Sequence, residues 1–208
     1  MVARRTLLSA TLAVAAMALV AGNAVAQTAA VGQPAPGFSA TDTAGKTVKL
    51  SDYPGRFVVL EWVNPGCPFV RKHYSSANMQ GVQKEFTAKG VVWLAINSTE
   101  PGHGDYLPPA RLAAWTAEQK SSATATLMDE KGSIGRAYGA RTTPHLYIVN
   151  PQGVLVYAGG IDSIPSGRVE DIQTATNYVR QGLNESLAGK PITAAVTKPY
   201  GCSVKYAG

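Results

Sequence analysis

The 208-residue sequence predicts an α/β sandwich with a mixed central sheet and helices on both faces. Three observations lead there. Runs of Val, Leu, Ile and Trp with the look of buried strands alternate with segments of helical periodicity, a Pro and Gly turn then joins two strands as a hairpin, and an amphipathic helix follows. Composition agrees: 45% hydrophobic and 15% charged residues exclude a disordered chain and a coiled coil. The 21 Gly and 13 Pro are spread along the chain, so no low-complexity segment or repeat can be read.

The elements follow in order. Asp42 to Leu50 reads as a hairpin around Thr43-Ala44-Gly45-Lys46, and Arg56 to Val63 as a central strand ended by Asn64-Pro65-Gly66. Cys67 to Lys89 reads as one helix, with Val70, Tyr74, Ala77, Val82 and Phe86 on its buried face and Gly90 as its stop. A strand at Val91 to Asn97 precedes a long loop, Ser98 to Pro109, placed where a parallel sheet presents its strand ends. Helix at Pro109 to Lys120, strand at Thr124 to Met128 and a short helix at Glu130 to Tyr138 come next. Strands Leu146 to Val149 and Val154 to Ala158 enclose the turn Asn150-Pro151-Gln152-Gly153. Val169 to Leu187 closes the domain as a helix with Val169, Ile172, Thr176, Val179, Leu183 and Leu187 on one face.

The amino terminus reads differently. Arg4 and Arg5 precede an uncharged apolar run from Leu7 to Ala21 and the triplet Ala24-Val25-Ala26, the pattern of a cleaved secretory signal. Arg4-Arg5-Thr6-Leu7-Leu8 also resembles a twin-arginine export signal, so the route stays open. The predicted organisation is residues 1–26 as signal, 27–37 as tether, 38–190 as the domain and 191–208 as a tail. A periplasmic or secreted location with no lasting membrane association follows from that reading. Losing Arg4 and Arg5 lowers the formal charge from +6 to a mild +4, and no basic strip interleaved with aromatics argues for nucleic acid.

Export would place two cysteines in an oxidising compartment. Cys67 heads a helix with Pro68 behind it, so the positive end of the macrodipole favours a thiolate there. Arg71, four residues on, lies about 40° around a helix axis from Cys67 and is the better thiolate partner, whereas His73 lies about 240° away. His73 reads as a helix-surface residue, His103 as a loop residue, His145 as a residue facing Cys67, and Arg71, Lys72, Lys84 and Lys89 as a solvated helix face.

The stretch Val58-Val59-Leu60-Glu61-Trp62-Val63-Asn64-Pro65-Gly66-Cys67-Pro68-Phe69-Val70 resembles the strand, turn and active-site helix of the thioredoxin superfamily, in its redoxin branch of alkyl hydroperoxide reductase and thiol-specific antioxidant proteins. That likeness runs from about Phe38 to Leu187 and implies a thioredoxin-like fold. It places Cys67 at the first cysteine of the Cys-x-x-Cys motif and Glu61 at the buried acid that assists proton transfer. Thr143-Pro144 takes the place of the cis-proline loop that faces the cysteine and binds substrate. Val70 stands where the second cysteine would be, so a dithiol within the active loop is absent. Peroxiredoxins place their cysteine at the position of Val70, with Pro and Thr seven and three residues before it, here Val63 and Cys67; counted from Cys67 instead, those places are Leu60 and Asn64, and the failure of both argues against peroxidase activity.

Cys202, in the tail, is the candidate resolving thiol; the other reading is a permanent Cys67–Cys202 staple worth about 5 kcal/mol of loop entropy. A disulfide between two copies is a third. The expected activity is thiol-disulfide exchange with disulfides or thiols of proteins or small molecules, without a cofactor. Alternatives are a thiol peroxidase of peroxiredoxin-like antioxidant type, and a non-enzymatic partner- or copper-binding module using Cys67, His145 and Cys202.

Overall fold

The computed structural model describes residues 28–208; the expected signal segment lies outside the described residues. A seven-stranded mixed sheet runs in the order β2-β1-β5-β4-β3-β7-β8. Its strands are β1 (Ser39–Asp42), β2 (Thr47–Lys49), β3 (Val58–Trp62), β4 (Val92–Asn97), β5 (Ala125–Met128), β7 (His145–Val149) and β8 (Leu155–Gly159). β3, β4 and β5 are mutually parallel, while β7 runs antiparallel to β3 and β8 to β7. Every residue of β3, β4 and β7 is buried, as expected for central strands covered on both faces.

Strand alternation divides the core. Val59, Val63, Trp93, Leu146 and Ile148 pack on one face with Cys67, Tyr74, Val82, Phe86, Val179 and Leu183. Val58, Leu60, Trp62, Leu94, Ile96 and Tyr147 pack on the other with Ile134, Tyr138 and the apolar residues near the amino end. Helices α1 (Pro68–Ser75), α2 (Asn78–Thr87) and α5 (Tyr178–Leu187) supply the first face, and α4 (Ser133–Tyr138) the second. α3 (Pro109–Glu118) sets Trp115 against Tyr74, with ring centroids 4.8 Å apart.

Four departures from the sequence reading have local causes. The expected helix from Cys67 to Lys89 is two helices, because Ala77 adopts φ 58° and ψ 14°. Ser76 Oγ donates to the carbonyl of Lys72 at 2.7 Å, ending α1, and the five-residue step from Ala77 to Val82 in the apolar pattern marks the break. α5 starts at Tyr178 rather than Val169, since Asn177 caps it by accepting from the Arg180 amide at 2.8 Å. Residues Glu170–Gln173 form only a 3-10 turn, and Val169 and Leu187 are exposed. α4 is delayed to Ser133 because the Asp129 carboxylate accepts from the Ile134 and Gly135 amides at 3.1 and 2.9 Å.

The fourth departure concerns both ends of the chain. β8 is the sheet edge, and its unpaired main-chain groups recruit the stretches read as tether and tail. Gly32 donates to Leu155 O at 2.8 Å and Leu155 to Gln33 O at 2.9 Å. Further along, Ala158 donates to Ala195 O at 3.0 Å and Thr197 to Ala158 O at 3.1 Å. From there the tail crosses to β9 (Cys202–Ser203), which pairs antiparallel with β6 (Thr142–Thr143).

Ala77 is exposed and holds a left-handed conformation that its Cβ disfavours. Ala77→Gly is expected to raise the unfolding free energy by about 0.5 to 1 kcal/mol, measured as a higher urea midpoint with unchanged slope. An unchanged or lower midpoint would contradict this account of the break.

Candidate functional site

Cys67 is set by the turn before it. The Gly66 amide donates to Asn64 Oδ1 at 2.7 Å and the Cys67 amide to Asn64 O at 3.0 Å, so the chain turns sharply out of β3. Asn64 Nδ2 reaches Asp105 Oδ2 at 3.4 Å, and a Cβ on Gly66 would stand 2.9 Å from Asp105 Cγ. The long loop therefore presses on the turn, and glycine leaves room for it. Cys67 itself is the cap of α1, extended at φ −77° and ψ 123°, with Pro68 as first helical residue.

The sulfur points inward. Cys67 is 1% exposed, and its Sγ donates to the carbonyl of Thr143 at 3.0 Å. Thr143 precedes Pro144 across a cis peptide bond, and β6 sets it directly opposite Cys202 in β9. The two cysteines, 135 positions apart in sequence, are thus brought to one carbonyl as a pair of free thiols. Gly201 makes this approach possible: φ is 135°, and a Cβ there would stand 2.0 Å from Thr143 O.

Their protonation equilibria move in opposite directions. Burial alone would raise the Cys67 pKa, but hydrogen bonding by the side chains of Cys202 and Thr143 and by the backbone of Val70 and Cys202 outweighs it, and the pKa falls below the ordinary thiol value. Burial, the hydrogen bond to Cys67 and the charge of Cys67 push Cys202 up to about 12. The arrangement favours the charged form at Cys67 over that at Cys202.

Arg71 does not join them. Because Cys67 is a cap with extended backbone, helix-wheel arithmetic starting from it fails; Arg71 is exposed and is not among the groups that shift the thiol. The thiolate is favoured instead by helix-start amides and by the tail. Glu61 is fully buried beneath α1, and accepts from Trp93 Nε1 at 2.7 Å, Tyr74 Oη at 2.9 Å and Gln83 Nε2 at 3.0 Å. Burial raises its pKa although these bonds oppose the rise.

The histidines are also placed differently from the sequence reading. His145 shares the Tyr147 face of β7, away from Cys67, and its Nδ1 lies 3.3 Å from the Arg141 amide and 3.2 Å from Tyr147 Oη. That position takes it out of the copper ligand set. His103 stays in the loop, accepting from the Asp105 amide at 3.0 Å. His73 and Lys72, read as surface residues, are buried. Lys72 Nζ lies 3.6 Å and His73 Nε2 3.7 Å from Asp162 Oδ2. Burial lowers the His73 pKa to about 4. Their partners, Asp162 and Tyr200, carried no local signal in the sequence, since they lie about ninety and more residues away. Beside this cluster a cavity of about 490 Å³ is lined by Thr142, Asp162, Tyr178, Lys198, Tyr200 and Gly201.

A mixed sheet carrying a cysteine at the start of its first helix, opposite a cis-proline loop, defines a thioredoxin-like fold. Residues 31–158 match the AhpC/TSA family, and the chain belongs to it. It is 30% identical to Peroxiredoxin-2 of Bos taurus over 157 residues, 68% of this chain and 73% of that protein. It is 25% identical to the thiol-disulfide oxidoreductase ResA of Bacillus subtilis over 132 residues, 60% of this chain and 64% of the relative. A conserved protein of Geobacillus kaustophilus superposes with a TM-score of 0.73 at 26% identity, over 86% of this chain and 93% of that one. No helix among the described residues is long and apolar enough to cross a membrane.

Because Cys202 contributes to the depression of the Cys67 pKa, Cys202→Ala is expected to raise it. Thiolate absorbance of the reduced protein should titrate at a midpoint below about 8.5 in the wild type, and at a higher pH in the variant. At neutral pH the thiolate fraction, and hence reactivity, should fall in Cys202→Ala. An unchanged midpoint would remove the tail from the account.

Proposed function

We propose that the chain is an exported thiol-disulfide oxidoreductase in which Cys67 attacks and Cys202 resolves. The observation that carries this reading is the convergence of the two thiols on Thr143, one with a depressed and one with a raised pKa. In the reducing direction the Cys67 thiolate attacks a substrate disulfide, R–S–S–R′, forming a Cys67–S–S–R bond and expelling R′ as its thiolate. Cys202 then gives up its proton to solvent and attacks the Cys67 sulfur. The Cys67–R bond breaks, R leaves as thiolate, and two electrons have passed from the cysteine pair to the substrate. The reverse sequence oxidises a substrate dithiol.

Thr143 and Pro144 are proposed to hold the substrate chain, since β6 offers main-chain groups that β9 uses in the resting state. Glu61 is proposed to assist proton movement beneath α1, and the substrates to be protein or small-molecule disulfides. Residues 1–26 are proposed to direct export, leaving a redoxin domain whose tail, residues 191–208, belongs to the site. Similarity to ResA supports exchange chemistry. Arg71 is left without a role.

Similarity to bovine Peroxiredoxin-2 favours a second reading, peroxide reduction at Cys67. The residues at the positions that peroxiredoxins fill with Pro and Thr, Leu60 and Asn64, speak against it.

Three experiments decide between these. With a protein disulfide as substrate, Cys67→Ala is expected to abolish exchange, and Cys202→Ala to slow turnover by about tenfold or more while accumulating a mixed disulfide on Cys67. Peptide mapping of the oxidised wild type under non-reducing conditions should find Cys67 joined to Cys202. Two free thiols in a folded, oxidised monomer would sink the resolving role. In the third, slow hydrogen peroxide consumption is expected; rapid Cys67-dependent consumption would establish the peroxidase reading instead.

A further inference from the structure

We propose that Tyr200 is a positioning residue for the Cys67–Cys202 pair, its phenol seated on Asp162 so that the tail delivers the Cys202 sulfur in register. The inference rests on the exchange reading above and adds to it the element that sets the geometry of the resolving step. Tyr200 Oη donates to Asp162 Oδ1 at 2.5 Å and lies 3.2 Å from His73 Nε2. The Tyr200 ring meets Phe69 edge to face at 5.8 Å, and Lys72 Nζ stands 5.7 Å from its centroid. Phe69, Lys72 and His73 all belong to α1, the helix that Cys67 caps. Tyr200 therefore ties the tail to the same rigid body that carries the attacking sulfur, two residues before the tail presents the resolving one.

The energetics point to registry rather than bulk stability. The side chains of Lys72, His73 and Asp162 are 0%, 0% and 3% exposed, and Asp162 Oδ2 has no hydrogen-bond partner among the described residues, only the Lys72 ammonium at 3.6 Å and the His73 ring nitrogen at 3.7 Å. Burying such a group against imperfect partners gains little net stability over an apolar replacement, and fixing a register is the best attested use of one. The chain between anchor and thiol leaves little slack. Gly201 adopts φ 135° against the Thr143 carbonyl, and Cys202 follows at once in β9. The anchor and the Thr143 ladder grip the tail on either side of Gly201, and a shift of either moves the sulfur.

Tyr200→Phe keeps the ring on Phe69 and removes only the hydroxyl. In the full chain, equilibrated with reduced and oxidised glutathione, the effective concentration of Cys202 toward Cys67 is expected to fall about tenfold or more. In a Cys202→Ala background, the rate at which Cys67 reacts with a small disulfide should not change on adding Tyr200→Phe. Asp162→Asn should give a similar fall, and the double variant little further loss, because both act through one contact. Should Asp162→Asn fail to fold, Tyr200→Phe alone decides. A wild type that forms no Cys67–Cys202 disulfide at any glutathione ratio overturns the resolving pair and this proposal together. A wild type that forms it, with Tyr200→Phe unchanged, overturns the positioning role and leaves the pair intact. A slower Cys67 reaction in the Cys202→Ala background would place the phenol's effect on the attacking thiol through α1, and likewise overturns it.

Discussion

Thr143 accepts the Cys67 thiol at its carbonyl, at 3.0 Å, while its strand pairs with Cys202, and most of the site follows from this one peptide edge. A sulfur at the start of α1 gains from helix-start amides, but it is 1% exposed, and desolvation works against its charge. The balance is tipped by donors that arrive from elsewhere in the chain. Cys202 and its backbone supply them only because the tail lies on β6. Remove that ladder and Cys67 keeps its place in the fold but loses part of what favours its thiolate.

The tail is consequently a working part of the domain. It covers the β8 edge at Ala158, passes Thr197 beneath Tyr157, and seats Tyr200 against α1 before reaching Cys202. Beyond the cysteine it continues to Tyr206, whose phenol donates to Ala140 O at 2.8 Å and whose ring lies beside Gly132 and Gly135, positions where a Cβ would collide with it. A dithiol contained in one helical turn has its spacing set by the helix. Here the second thiol comes from a different segment, so spacing has to be imposed by anchors on either side.

Two buried polar networks flank the pair with different degrees of completion. Glu61 is satisfied by three donors, Trp93, Tyr74 and Gln83, and Gln83 is in turn held by Ser121 and the Ser122 amide. Such closure ties β3, β4, α1, α2 and the segment after α3 into one unit under the site. Asp162, by contrast, leaves Oδ2 with the Lys72 ammonium at 3.6 Å, the His73 ring at 3.7 Å and no hydrogen bond among the described residues. The complete network makes a floor for α1, and the incomplete one sits where the tail meets it.

The sequence by itself determined the parts whose causes are local. The central strands, the Asn64-Pro65-Gly66 turn, Cys67 at a helix start with Pro68 behind it and the 150–153 hairpin turn all depend on neighbours within a few residues, and the structure holds each of them. The helix break at Ala77 and the late start of α5 at Asn177 were legible in principle, in a five-residue step and a capping residue, but apolar periodicity ran across both. Only the tertiary structure decided the rest. Lys72 and His73 look like surface residues until Asp162 and Tyr200, far along the chain, bury them, and His145 turns from Cys67 because strand parity assigns it to the Tyr147 face. The meeting of Cys202 with Cys67 is of the same kind: a tail can reach many places, and what fixes it is a sheet edge and a buried carboxylate far away in sequence, together with Gly201, whose need of a bare Cα only the facing Thr143 carbonyl reveals.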